Sequence, residues 1–173
     1  MRAGTAALAA AVLSVFLPTG CQRSSGPLPE GVQPVSRVLA LGRAPVAMGS
    51  PFSLSSGAGE PEFAVPVRNV TDAAVNAVLW TVVPFDRAGN IIQDGETDGG
   101  YEDPLNPIRP GEEVELTFGV SSTDAIRVKL VLREVVYVPP IPRGTENPAA
   151  PRKWANPYYR AELAVARGIA LPR

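Results

Sequence analysis

The chain has no histidine and one cysteine, Cys21. Without histidine there is no imidazole to ligate a metal, and no Ser-His or Cys-His pair for nucleophilic catalysis. One thiol cannot form a disulfide within the chain, so the core must hold the fold. Lysine is almost missing, with only Lys129 and Lys153, and neither stands three residues after a serine, as a Ser-x-x-Lys nucleophile requires. Neither sign of charge prevails: 16 Lys+Arg stand against 17 Asp+Glu, a net charge of −1. That balance offers no basic face for nucleic acid. No apolar run reaches the roughly 18–20 residues that a membrane-spanning helix needs, and no internal repeat is present.

Turn formers are abundant, 16 Gly and 19 Pro among 173 residues, beside 45% hydrophobic and 19% charged residues. This is the composition of one folded domain rich in strands and turns, not of a disordered chain.

Met1-Arg2 precedes Ala6–Leu17, a run of 12 residues that is apolar except for Ser14. Its length is that of a signal-peptide core. Pro18-Thr19-Gly20-Cys21 closes it, with small residues directly before the single cysteine. These residues resemble the lipobox of bacterial lipoproteins. The resemblance implies a diacylglycerol on the Cys21 thiol, cleavage before Cys21, and a membrane anchor at the new N-terminus. It places the protein in the cell envelope, on the periplasmic or outer face of a bacterial membrane. Gln22 is compatible with the outer membrane. Acyl chains contribute about 0.8 kcal/mol per buried CH₂, so two or three hold firmly. The residues alone also leave open a plain secretory signal cut nearby, or a short buried helix that is retained.

The expected division is a signal peptide over 1–20, a flexible Pro/Ser/Gly-rich tether over 21–34, a β domain over 35–138 and a Pro-rich C-terminal extension over 139–173. One strand is expected near Val38–Leu41 and another near Pro51–Leu54. Phe63, Val65 and Val67 alternate with Ala64, Pro66 and Arg68. Val75–Asp86 is apolar on both parities, as a strand covered on both faces would be. Val114, Leu116, Phe118 and Val120 point one way, as do Ile126, Val128, Leu130 and Leu132. Glu134 falls on the core parity, which predicts a bulge or the core's edge there. The last two strands pair either as a hairpin (Phe118 with Val128, Glu113 with Arg133) or face each other from opposite sheets. The sum predicts an all-β fold, an antiparallel Ig-like β-sandwich of about seven strands. Tyr159, Leu163, Ala166 and Ala170 add a short C-terminal helix near 158–168.

Asn69-x-Thr71, Val75-x-x-Val78, Phe85-Asp86-x-x-Gly89-Asn90 and Ile108-x-Pro110-Gly111-Glu112 occur in this order before Leu116-Thr117-Phe118. The series is similar to the FxLyD-type Ig-like domains of bacterial and archaeal surface proteins, over about Phe63 to Tyr137. At the name-giving motif Val82 stands for its Phe, Pro84 for its Leu and Phe85 for its Tyr, with Asp86 kept. The resemblance implies a non-catalytic module.

Two places could carry chemistry. No basic residue lies between Arg87 and Arg109, and five acids fall within 94–103. Asp94, Glu96, Asp98 and Gly99 follow the start of a Ca²⁺ loop, with Glu102 at its ninth position and Leu105 where the bidentate Glu belongs. The plainer reading is a solvated acidic connection that guards a sheet edge. Trp154, Tyr158 and Tyr159 lie among Arg152, Lys153 and Arg160, an aromatic-basic group suited to a glycan, to peptidoglycan or to a protein partner. Alternatively, these rings close an open side of the sandwich. The expectation is a lipid-anchored, non-enzymatic envelope protein that contacts an envelope partner. A module holding Ca²⁺ or glycan is the alternative.

Overall fold

The computed structural model describes residues 28–55, 59–141 and 149–170. Cys21, the expected signal peptide and the first part of the expected tether lie outside the described residues. The elements are helix α1 (Val35–Ala40), strands β1 (Val46–Met48), β2 (Phe52–Ser55), β3 (Glu62–Asn69), β4 (Ala74–Phe85), β5 (Thr97–Glu102), β6 (Glu113–Gly119), β7 (Arg127–Val138) and β8 (Arg152–Ala155), and helix α2 (Tyr159–Ala166).

The strands form two antiparallel sheets. In the first, β3 is central, with β1 and β2 following each other along one edge and β6 on the other. The second runs β5-β4-β7-β8. The chain crosses between the layers from β3 to β4, from β5 to β6 and from β6 to β7, as in an immunoglobulin-type sandwich. The open pairing of the last two long strands is thereby decided: β6 lies on β3, β7 lies on β4, and they face each other across the core.

Alternation places the core. Phe63, Val65 and Val67 of β3 and Leu116 of β6 meet Val75, Val78, Trp80 and Val82 of β4 and Val135 of β7. The Trp80 ring stands edge-on to Phe118 at 5.8 Å between centroids, and Phe63 stacks on Phe118 at 6.0 Å. Burying each such side chain is worth about 1.5–3 kcal/mol, far more than any surface ion pair here.

Two offsets keep both long strands facing inward. The β4–β7 register shifts between Val75 and Ala77, and again between Leu79 and Trp80. In the first, Asn76 is the extra residue, so Val75 and Val78 share the core face. In the second, Leu79 pairs with Glu134 and Trp80 with Leu132, leaving Arg133 as the extra residue. The expected bulge is therefore present one residue before Glu134. It turns Glu134 outward, where Lys153 Nζ donates to its carboxylate at 2.9 Å, and returns Val135 and Tyr137 to the core.

The N-terminal expectations need correction. Val38–Leu41 is not a strand. Pro34 precedes a helix whose first N–H, on Val35, donates to Asp72 Oδ1 at 2.7 Å. Gly42, at φ +67°, ends it by donating to Leu39 O. Val35 and Val38, one turn apart, bury the same side. The packed domain also begins before 35: Val32 is buried, and Gln33 exchanges backbone hydrogen bonds with Val70 and Asp72. Ile126 was expected inside but is 52% exposed, because the turn before β7 points Ala125 inward instead. The sandwich does not close at 138, since β8 in the Pro-rich extension is the fourth strand of its sheet. The expected short helix is α2. Among the described residues, no helix is long and apolar enough to cross a membrane.

Candidate functional site

The motif residues at the ends of the sandwich hold the backbone. Asn69 is fully buried; its Nδ2 donates to Ala73 O at 2.7 Å and Ile108 O at 3.0 Å, and its Oδ1 accepts from Thr71 N and Oγ1, both at 2.9 Å. All its capacity is used in tying β3 to two loops. Asp86 accepts from Asn90 N at 2.8 Å and Nδ2 at 3.1 Å around Gly89, whose φ of +86° suits glycine. These bonds, chiefly that from the Asn90 side chain, hold the Asp86 carboxyl below its ordinary pKa. Glu112 accepts from Arg109 N at 2.7 Å and closes the Pro110-Gly111 turn.

The polar machinery lies on the outer face of the second sheet, where α2 docks. Tyr159, Leu163 and Ala166 cover Val83, Phe85 and Val131. The Tyr159 hydroxyl stands 2.8 Å from Thr81 Oγ1, and Thr81 Oγ1 donates to Asp98 Oδ1 at 2.9 Å. Thr81 has one hydroxyl proton and spends it on Asp98, so Tyr159 is the donor to Thr81. Asp98 also pairs with Arg133, the bulged residue of β7. Arg167, directly after α2, binds Glu96 with both arms: Nε to Oε2 at 2.9 Å and Nη2 to Oε1 at 2.5 Å. The Glu96 carboxylate raises the Arg167 pKa above its ordinary value.

The acids expected as Ca²⁺ ligands are thus distributed along a strand. Asp94 lies in a 3-10 turn over Gln93–Gly95, Glu96 precedes β5, and Asp98 and Glu102 sit on its outer face four residues apart, about 13 Å at the rise of a strand. A Ca²⁺ loop must curl, and here residues 97–102 are extended. Among the described residues no three Asp, Glu, Cys or His side chains gather closely enough to hold a metal. Two of them hold other elements instead: Glu96 pairs with Arg167 beyond α2, and Asp98 with Thr81 and Arg133. The strand forms despite its two glycines because they let the backbone approach. A Cβ on Gly99 would lie 2.7 Å from Trp80 Nε1, and one on Gly100 would lie 2.6 Å from Leu79 Cδ2.

The aromatic group is divided as well. Trp154 pairs with Val135 and packs, half-buried, on the main core. Tyr159 is turned to the outer face, and only Tyr158 is largely exposed, at 62%. Trp154 and Tyr159 therefore present no common platform for a glycan; they fasten the extension to the sandwich. Sequence reasoning missed Thr81, Arg133 and Arg167, whose partners lie between 17 and 78 positions away in the chain. It also missed Arg127 and Lys129, which sit at 5.0 and 5.1 Å from the Phe85 ring centroid. Their alternation with Val128 was visible, but not the ring beneath them.

Fold and site together define an immunoglobulin-type β-sandwich whose outer polar groups lock a C-terminal helix in place. In comparisons with known proteins, no family model, no curated protein and no solved structure matches the chain.

Proposed function

We propose that the chain is a lipid-anchored, non-catalytic protein of the bacterial cell envelope, of the FxLyD-type Ig-like class, whose sandwich makes contact with an envelope protein. Cys21 carries the lipid, and the polar segment after it lets the domain stand clear of the headgroups. The observation that carries this reading is how the polar side chains are used. Asn69, Asp86, Asp98, Glu96, Thr81 and Tyr159 all spend their hydrogen bonds on the fold itself. Such a domain acts through its surface. The apolar run Ala6–Leu17, ended by small residues and the only cysteine, supports the anchor.

A photo-crosslinking amino acid placed in turn at exposed positions of each sheet, each loop and α2, in cells, tests the contact. The expected result is a discrete protein adduct from one contiguous set of positions. Absence of adducts from every position would overturn the reading.

A further inference from the structure

The second sheet is incomplete at one end. β8 covers β7 only over Glu134–Tyr137; from Arg127 to Leu132, β7 has β4 on one side and, among the described residues, no strand on the other. The cause is local. Asn156 donates its N–H to Arg133 O at 2.9 Å and its Nδ2 to Leu132 O at 2.7 Å, which ends the ladder. Pro157 has no N–H with which to continue it. The chain then turns into α2 and, among the described residues, leaves that edge without a strand.

A groove of about 750 Å³ runs there. Gly49, Ser50 and Pro51 form one wall, Ala161 and Val165 of α2 form the other, and Arg127–Val131 line it without a gap. A face of a strand presents alternate residues, so five consecutive ones mark a groove along the main-chain edge. Unpaired N–H and C=O groups in a row call for another extended backbone.

We propose that this edge docks an extended segment of a partner protein, alternately apolar and acidic, which adds to the sheet as a strand beside Arg127–Val131. The inference rests on the contact function proposed above and names its surface. Charge selects the occupant. Arg127 and Lys129 have no acidic partner among the described residues, and Glu162, the acid beside the groove, already accepts from Asn156 Nδ2 at 2.7 Å. A second copy pairing by the same edge would set these cations against their own counterparts, which is unfavourable.

The test uses the full chain and a capped seven-residue peptide of alternating Val and Glu. Amide hydrogen exchange gives the readout. The peptide should slow exchange at the edge amides of Arg127–Val131 by about tenfold or more, and leave β3 unchanged. The same peptide N-methylated at alternate amides, or carrying Lys for Glu, should bind at least about tenfold more weakly. Val165→Glu, at an exposed wall position, should weaken binding similarly while melting normally. Three results would overturn the inference: no protection, equal binding of the N-methylated peptide, or protection that grows with the chain's own concentration in the absence of peptide. If the peptide fails while crosslinks form on another surface in cells, the edge is wrong and the contact function stands.

Discussion

Asn69 shows how a conspicuous polar residue can be wholly structural. It is buried with four hydrogen bonds, so Asn69→Ala leaves two carbonyls and the Thr71 donors unsatisfied. The expected loss is about 3 kcal/mol in urea unfolding, and one below about 1 kcal/mol would contradict its role. Asp86 and Asp103 give a pH prediction. Asp86 is held mainly by the Asn90 side chain and Asp103 mainly by that of Asn106, and both carboxyls lie below their usual value of 3.8. A carboxyl whose folded pKa is depressed stabilises the fold above its unfolded pKa and loses that contribution as pH falls through the folded one. The contribution of these two loops is therefore complete near neutrality and fades from about pH 4 downward. Stability measured against pH should fall less steeply on the acid side in Asp86→Asn and in Asp103→Asn than in the parent chain. An unchanged slope would refute the assignment.

At the scale of elements, α2 and β5 depend on each other. Tyr159→Phe removes one hydroxyl from the chain linking Tyr159, Thr81 and Asp98, and should cost about 0.5–1.5 kcal/mol by chemical unfolding. Ending the chain after Asn156 would uncover Val83, Phe85 and Val131, and should produce dye-binding apolar surface with a lower melting temperature. Because Glu96 and Asp98 already hold Arg167 and Arg133, millimolar Ca²⁺ should leave the melting temperature unchanged; a rise of several degrees would restore the metal reading. The elements that sequence revealed were those whose pattern is local. Alternation from Phe63 to Val67 and from Val114 to Val120 marks β3 and β6 directly, and Glu134 on the wrong parity announces the bulge beside it. Hidden were elements decided at a distance. Val38–Leu41 reads as a strand until Asp72, far along the chain, caps it as a helix. The acidic stretch reads as a loop until Trp80 and Leu79 accept its glycines. The clasp was legible only as charge, since Glu96 and Arg167 are 71 residues apart.

For the whole molecule, stacked apolar faces set the stability, and the outer face of the second sheet holds α2. Apart from the groove beside Arg127–Val131, the described polar groups mostly serve the fold, which is what the proposed contact function calls for. The proposed lipid at Cys21 is the part of the proposed function that a single substitution tests. Cells fed an alkyne fatty acid, expressing the parent chain or Cys21→Ser, test it by labelling and membrane fractionation. Label and membrane association are expected for the parent chain and neither for the variant. An unlabelled parent chain, or a variant that stays in the membrane fraction, would contradict it.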